Sequence, residues 1–204
     1  ATSALSDQVL GRFVKRLAQL GVDMHSFCVV QNGEVLTEQY YRPFHQDSQH
    51  RMYSVGKSFT ALAIGALEAE GKLALTDPVH RYLPEACPKD MHSNTKAMTF
   101  EDLLSMRTAH DGTTFRYYDG DWVESFFHVP PDHVPGTLFC YDTSATHTLS
   151  AIVEKLAKKD MMDYLREDVL PELELSEEAK FLKDRVHGKV SKGGSGMICT
   201  LRDM

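Results

Sequence analysis

The sequence predicts an α+β fold, with an antiparallel sheet flanked by helices beside a mostly helical lobe. One observation is a pair of β-rich runs, 25–31 and 34–41, that meet at Asn32-Gly33. Asn-Gly tolerates the two positive-φ positions a tight hairpin turn requires. The other is a set of segments whose apolar residues recur at helical spacing. The composition is compatible with both. A chain of 204 residues, 42% hydrophobic and 25% charged, is globular and can bury a sizeable core.

Each element has its own signal. Residues 5–20 place Leu5, Val9, Leu10, Phe13, Leu17 and Leu20 on one helical face. The hairpin follows, then a polar loop over 42–51. From 54 to 70 the apolar residues Val55, Phe59, Leu62, Ala63, Ala66 and Leu67 again share a face, and Gly71 is a natural stop. Thr76-Asp77-Pro78 reads as a turn, and 84–98, with Pro84 and Pro88, as irregular chain. Thr99 is placed to cap a short helix over 99–107, with Asp102 at its third helical position. Residues 108–140 hold aromatics, prolines and glycines without a period and read as a long structured loop. Two more helices are expected at 144–158 and 161–170. A glycine turn at 192–196 closes the series, and Thr200 to Asp203 reads as the start of a last helix.

Charge and cysteine usage narrow the function classes. There are 22 Lys and Arg against 29 Asp and Glu, a net charge of −7. No basic stripe offers a phosphate-binding face, so no nucleic-acid partner is expected. No run is long and apolar enough for a membrane span. Cys28, Cys87, Cys140 and Cys199 lie far apart beside apolar residues and form no C-x-x-C pair. That favours free thiols and a cytoplasmic setting. Ala1 to Ala4 carry no export pattern, which leaves a mature exported form as the alternative. The ten histidines include no H-E-x-x-H, so no metal and no cofactor is expected.

The chemistry centres on Ser54-Val55-Gly56-Lys57. A serine hydroxyl is a weak nucleophile that needs a base. A lysine three residues later on a helix projects to the same side, one turn along. Ser54 also stands at a helix N-terminus, where developing negative charge is favoured. S-x-x-K recurs at Ser93 to Lys96, but in a polar stretch with no apolar helix to bury the lysine. Tyr117, Tyr118 and Trp122 either line a cleft or pack the long loop down. Asp142 and His147 fit cap and helix roles. Glu68, Glu70 and Lys72 read as a solvated helix end.

The run from Met52 to Val79, with Ser54 and Lys57 near its start, resembles the serine β-lactamase-like family. That family includes class C β-lactamases, DD-peptidases, esterases and 6-aminohexanoate-dimer hydrolases. Four later segments resemble it in the same order: Thr99 to Thr108, Pro135 to Thr143, Asp160 to Leu175, and Gly193 to Met204 with its glycine turn and following helix. The resemblance implies a β-lactamase/transpeptidase-like fold over one region. In it, 1–50 hold the first helix and hairpin, 51–191 the nucleophile helix and helical lobe, and 192–204 the glycine turn. It implies that Ser54 is the acylated nucleophile, Lys57 its activating partner, and Tyr141 the tyrosine that shares proton transfer.

The sequence departs from that family in three places. Thr143 stands where the family has the Asn of Y-x-N, which commonly holds the substrate amide. The loop from Thr108 to Asp111 lacks the usual glycine. No later K-T-G or H-x-G strand follows, and that strand supplies the family's second oxyanion N–H. The expectation is therefore a serine hydrolase for a small ester or amide, with Thr143, Tyr117 and Trp122 as substrate-binding candidates. The alternatives are a β-lactamase or DD-peptidase, and a silent binding member or incomplete piece. The missing strands also lead us to expect a fragment whose sheet is completed by a further segment or a second polypeptide.

Overall fold

A computed structural model describes residues 6–186 and 188–204. By contacts the chain divides into two compact units, Ala1–His50 with Cys199–Met204, and Arg51–Ile198.

The first unit opens with α1 (Asp7–Gln19), capped by Ser6, whose hydroxyl accepts from the Val9 N–H at 3.3 Å. The antiparallel pair β1 (Ser26–Gln31) and β2 (Glu34–Tyr40) follows. Asn32 and Gly33 take φ values of 53° and 80°, the left-handed pair a two-residue hairpin turn demands. A bulge between Val29 and Val30 shifts the register along β1. Phe13 of α1 meets Phe27 of β1 edge to face, centroids 5.3 Å apart. Arg202 grips Glu38 through both carboxylate oxygens, with Arg202 Nη2 2.9 Å from the nearer one.

The second unit holds most of the core. After β3 (His50–Tyr53), a 3₁₀ turn from Ser54 to Gly56 leads into α2 (Lys57–Ala69). The short helices α3 (Ser93–Ala97) and α4 (Phe100–Leu104) come next, then α5 (Trp122–His128), α6 (Thr143–Ala157) and α7 (Met161–Tyr164). Strands β4 (Lys180–Phe181) and β5 (Met197–Cys199) complete a small sheet in the order β3-β5-β4. Helix α6 is the centre: every residue from Ser144 to Val153 is buried. Ile64 and Leu67 of α2, Phe100 and Leu103 of α4, and Phe126 of α5 are buried with it. Burying such side chains is worth about 1.5–3 kcal/mol each.

The α+β expectation holds, but several elements differ in detail. Residues 84–98 are not wholly irregular. A 3₁₀ turn at Pro84–Ala86 and α3, capped by His92, lie there, both too short to leave a period. Residues 108–140 are not one loop, because α5 forms within them. The Asp121 carboxylate caps it by accepting from Val123 and Glu124 N–H groups, and it buries Val123, Phe126 and Phe127. The helix expected at 161–170 continues past Tyr164 as a π-turn, Leu165–Val169. The glycine turn leads into β5 rather than straight into a helix, because Met197 pairs with Phe181. Thr200 and Asp203 exchange a reciprocal cap, yet 201–203 form a turn and not a helix. Thr99 and Asp102 make the full capping box expected of them.

Candidate active site

The site is assembled where α2, α6 and the glycine turn approach one another. Ser54 and Lys57 are one helical turn apart, and Lys57 Nζ donates to Ser54 Oγ at 3.2 Å. The same ammonium reaches Thr143 Oγ1 at 3.4 Å and donates to the Gly194 carbonyl at 2.5 Å. It also lies 5.0 Å from the centroid of the Tyr141 ring. Among the described residues the groups around this ammonium are hydroxyls and a backbone carbonyl, not a carboxylate.

The local backbone explains how these groups are presented. Tyr53, immediately ahead of Ser54, has φ 47° and ψ −127°. That conformation is unfavourable for an L-residue and turns the chain sharply from β3 into the 3₁₀ turn. Ser54 is exposed at the N-terminal end of the helical segment. Thr143 opens α6, capped by Asp142, which accepts from the Ser144 N–H at 2.7 Å. The Thr143 N–H donates to Thr113 Oγ1 at 3.1 Å and ties the helix start to the preceding loop.

The glycines of the turn are required by packing. A Cβ on Gly193 would lie 2.5 Å from Thr60 Oγ1 and 2.9 Å from Ser150 Cβ, and one on Gly194 2.8 Å from Thr143 Cγ2. Only a chain without side chains fits between α2 and α6. Thr60 Oγ1 donates to the Gly193 carbonyl at 3.1 Å, which fixes the turn and aims the Gly194 carbonyl at Lys57.

Electrostatics ease the loss of the Tyr141 proton. Burial raises the affinity of Tyr141 for its proton, but hydrogen bonding by Ser54 and Lys57, with the charge of Lys57, outweighs it. The net effect holds Tyr141 below the ordinary phenol value. Its side chain is half exposed, at 51%.

Of the residues expected from sequence, Ser54, Lys57, Tyr141 and Thr143 come together. No hydrogen bond or ring contact among the described residues joins Tyr117 or Trp122 to them. Trp122 stacks on Phe115 at 4.2 Å, meets His147 edge-on, and carries Lys192 Nζ 5.1 Å above its ring. Tyr117 is 77% exposed and lines a separate pocket. The second S-x-x-K lies on α3 rather than in a loop. It has neither a buried lysine nor any hydrogen bond between Ser93 and Lys96 among the described residues. Gly194 was not foreseen as a partner of Lys57. The glycine-rich spacing was visible, but its carbonyl's target was not.

A serine and lysine one turn apart on a helix, faced by a tyrosine on a second helix's leading segment, define a class of α+β proteins with an S-x-x-K centre. The chain belongs to the β-lactamase family, whose model, described as Beta-lactamase, matches residues 10–204. It is 26% identical over 201 residues to the 6-aminohexanoate-dimer hydrolase of Paenarthrobacter ureafaciens, covering 88% of this chain and 49% of that one. It is 29% identical over 154 residues to esterase EstB of Burkholderia gladioli, covering 62% and 39%. In fold it matches the class C β-lactamase of Rhodobacter sphaeroides with a TM-score of 0.71 at 17% identity, over 98% of this chain and 63% of that structure. The chain thus spans about half the length or less of the relatives it matches in sequence.

Proposed function

We propose that this chain is the nucleophile-bearing part of a serine hydrolase that cleaves a small ester or amide by acyl transfer. The observation that carries this reading is Lys57 Nζ at 3.2 Å from Ser54 Oγ, with the same ammonium over the Tyr141 ring. Tyr141 as phenolate takes the proton from Ser54 Oγ as that oxygen bonds to the substrate carbonyl carbon. Lys57 as ammonium stabilises the phenolate and then the negative charge on the tetrahedral intermediate. Tyr141 returns the proton to the leaving alcohol or amine as the carbonyl–heteroatom bond breaks. Water, deprotonated in the same way, then releases the acyl group from Ser54. Thr143 supports the ester or small-amide reading. Its hydroxyl already contacts Lys57 and offers the substrate less than the two-ended asparagine amide of the family motif.

A serine-directed acylating probe, such as a fluorophosphonate, is expected to add one covalent mass located by peptide mapping to Ser54 and not to Ser93. An adduct that persists in Ser54→Ala would remove the basis for the reading.

The pH profile tests Tyr141 separately. The working form is deprotonated, so kcat/KM should rise with pH through an ascending limb. The phenol is held below its ordinary value of 10.0, so the midpoint should lie below that. Tyr141→Phe should lower the rate by about 10²–10⁴ and remove the limb, because one positioned proton carrier contributes that much. A limb that survives unchanged in the phenylalanine variant would assign it to another group.

A further inference from the structure

Tyr141 belongs to no helix or strand, because residues 129–142, between α5 and α6, run through turns and irregular chain. Their path is set by the consecutive carbonyls of residues 106–109, just after α4. The Ala109 carbonyl accepts from the Asp132 N–H at 2.8 Å, and the Arg107 carbonyl from the Gly136 N–H at 2.8 Å. The Thr108 carbonyl lies 2.9 Å from His133 Nε2. The Met106 carbonyl accepts from the Cys140 N–H at 2.9 Å, one residue before Tyr141. Met106 also acts with its side chain: the Asp142 N–H, one residue after Tyr141, donates to Met106 Sδ at 3.4 Å. One residue thus ties the chain on both sides of the tyrosine. Thr108 adds a tie through its hydroxyl, which donates to the Asp142 carboxylate at 3.4 Å.

The backbone at Met106 makes its side chain conspicuous. Ser105 closes α4, and Met106 follows it in the left-handed region, with φ 57°. The Met106 N–H returns to the Leu103 carbonyl at 3.3 Å and the Arg107 N–H to the Asp102 carbonyl at 2.8 Å. This is the helix ending whose left-handed residue is usually glycine, since a Cβ is disfavoured there. Methionine brings backbone strain and an acceptor that is weak by nature. The fold carries that strain at a half-buried residue and uses the sulfur on the N–H next to Tyr141. Tyr141 itself is half exposed, and its ring must stay beside the Lys57 ammonium.

We propose that Met106 is a positioning residue, which holds Tyr141 against Ser54 and Lys57 by tethering the chain on both sides of it. The proposal rests on the hydrolase reading for the task of Tyr141, and on the two Met106 bonds for the tether.

The test compares Met106→Leu, which keeps the apolar bulk and removes the acceptor, with Met106→Gln, which returns an acceptor on a side chain of similar length. Thermal melts establish that each variant is folded. Should Met106→Leu not fold, Met106→Gly, which relaxes the positive φ and also lacks the acceptor, takes its place. On a chromogenic ester, Met106→Leu is expected to lower kcat by about tenfold with KM within about twofold of wild type, as for a group displaced from its working position. A loosened Tyr141 loses part of the hydrogen bonding and charge that hold its phenol down, so the ascending pH limb should move up toward 10.0. Met106→Gln should recover most of the rate and return the limb. A leucine variant with the wild-type kcat and limb, or a glutamine variant as impaired as the leucine one, would overturn the proposal. If the wild type neither turns over ester nor is acylated at Ser54, the hydrolase reading fails and the tether is decided by titration alone. The probe is then the NMR signal of 13Cζ-labelled Tyr141, assigned with Tyr141→Phe. A titration midpoint higher in Met106→Leu than in wild type and Met106→Gln would support the tether, and equal midpoints would sink it.

Discussion

Lys57→Met is expected to lower kcat/KM by about 10³-fold and to slow Ser54 acylation by a comparable factor. Methionine keeps most of the side chain's length and removes its charge and donors. Three acceptors lose their partner at once: Ser54 Oγ, Thr143 Oγ1 and the Gly194 carbonyl. The cation that holds Tyr141 below the ordinary phenol value also disappears, leaving burial to raise it. In the proposed mechanism Ser54 thus loses its charged neighbour and the phenol its readiness to take a proton, an effect within the 10²–10⁴ range of a positioned acid–base group. The carbonyl left without a donor adds a stability loss of about 1–3 kcal/mol. Labelling rates and chemical denaturation on the same variant separate the two effects. Labelling at the wild-type rate would mean that Lys57 only supports the fold.

Gly194→Ala is expected to lose both stability and rate although it removes no polar group. A Cβ there would lie 2.8 Å from Thr143 Cγ2 and 3.0 Å from the Thr143 carbonyl oxygen. The backbone of a buried helix start cannot yield, so the turn must move, and the carbonyl that anchors Lys57 moves with it. Overpacking of this kind costs about 1–3 kcal/mol. Displacing a catalytic group by about 1 Å can cost about 10²-fold in rate. Calorimetry and kcat/KM should both fall. A variant with wild-type activity and melting temperature would show that the turn has slack.

The legible parts of the fold share a physical trait: each has a local chemical cause. Asn32-Gly33 announces its turn because few other residue pairs take two successive positive φ angles. Thr99 and Asp102 announce their helix because the two side chains satisfy each other's backbone N–H groups. Helix α5 stayed hidden inside the long loop because seven residues are too few for a period. Its stability comes instead from burying Phe126 and Phe127. The site divides in the same way. Ser54 and Lys57 are readable from helical spacing, and Tyr141 only from its place in an ordered set of segments. The Gly194 carbonyl could not be read at all, since every residue carries one and only the folded turn gives it a target.

The backbone at Tyr53 has a consequence for how such a chain can change. A φ of 47° paired with ψ −127° stores about 1–3 kcal/mol at the residue before Ser54. Substitutions that relax it are open to any lineage selected for heat tolerance. The same relaxation would let Ser54 wander from Lys57. In the proposed hydrolase, heat tolerance and rate therefore pull in opposite directions at this position.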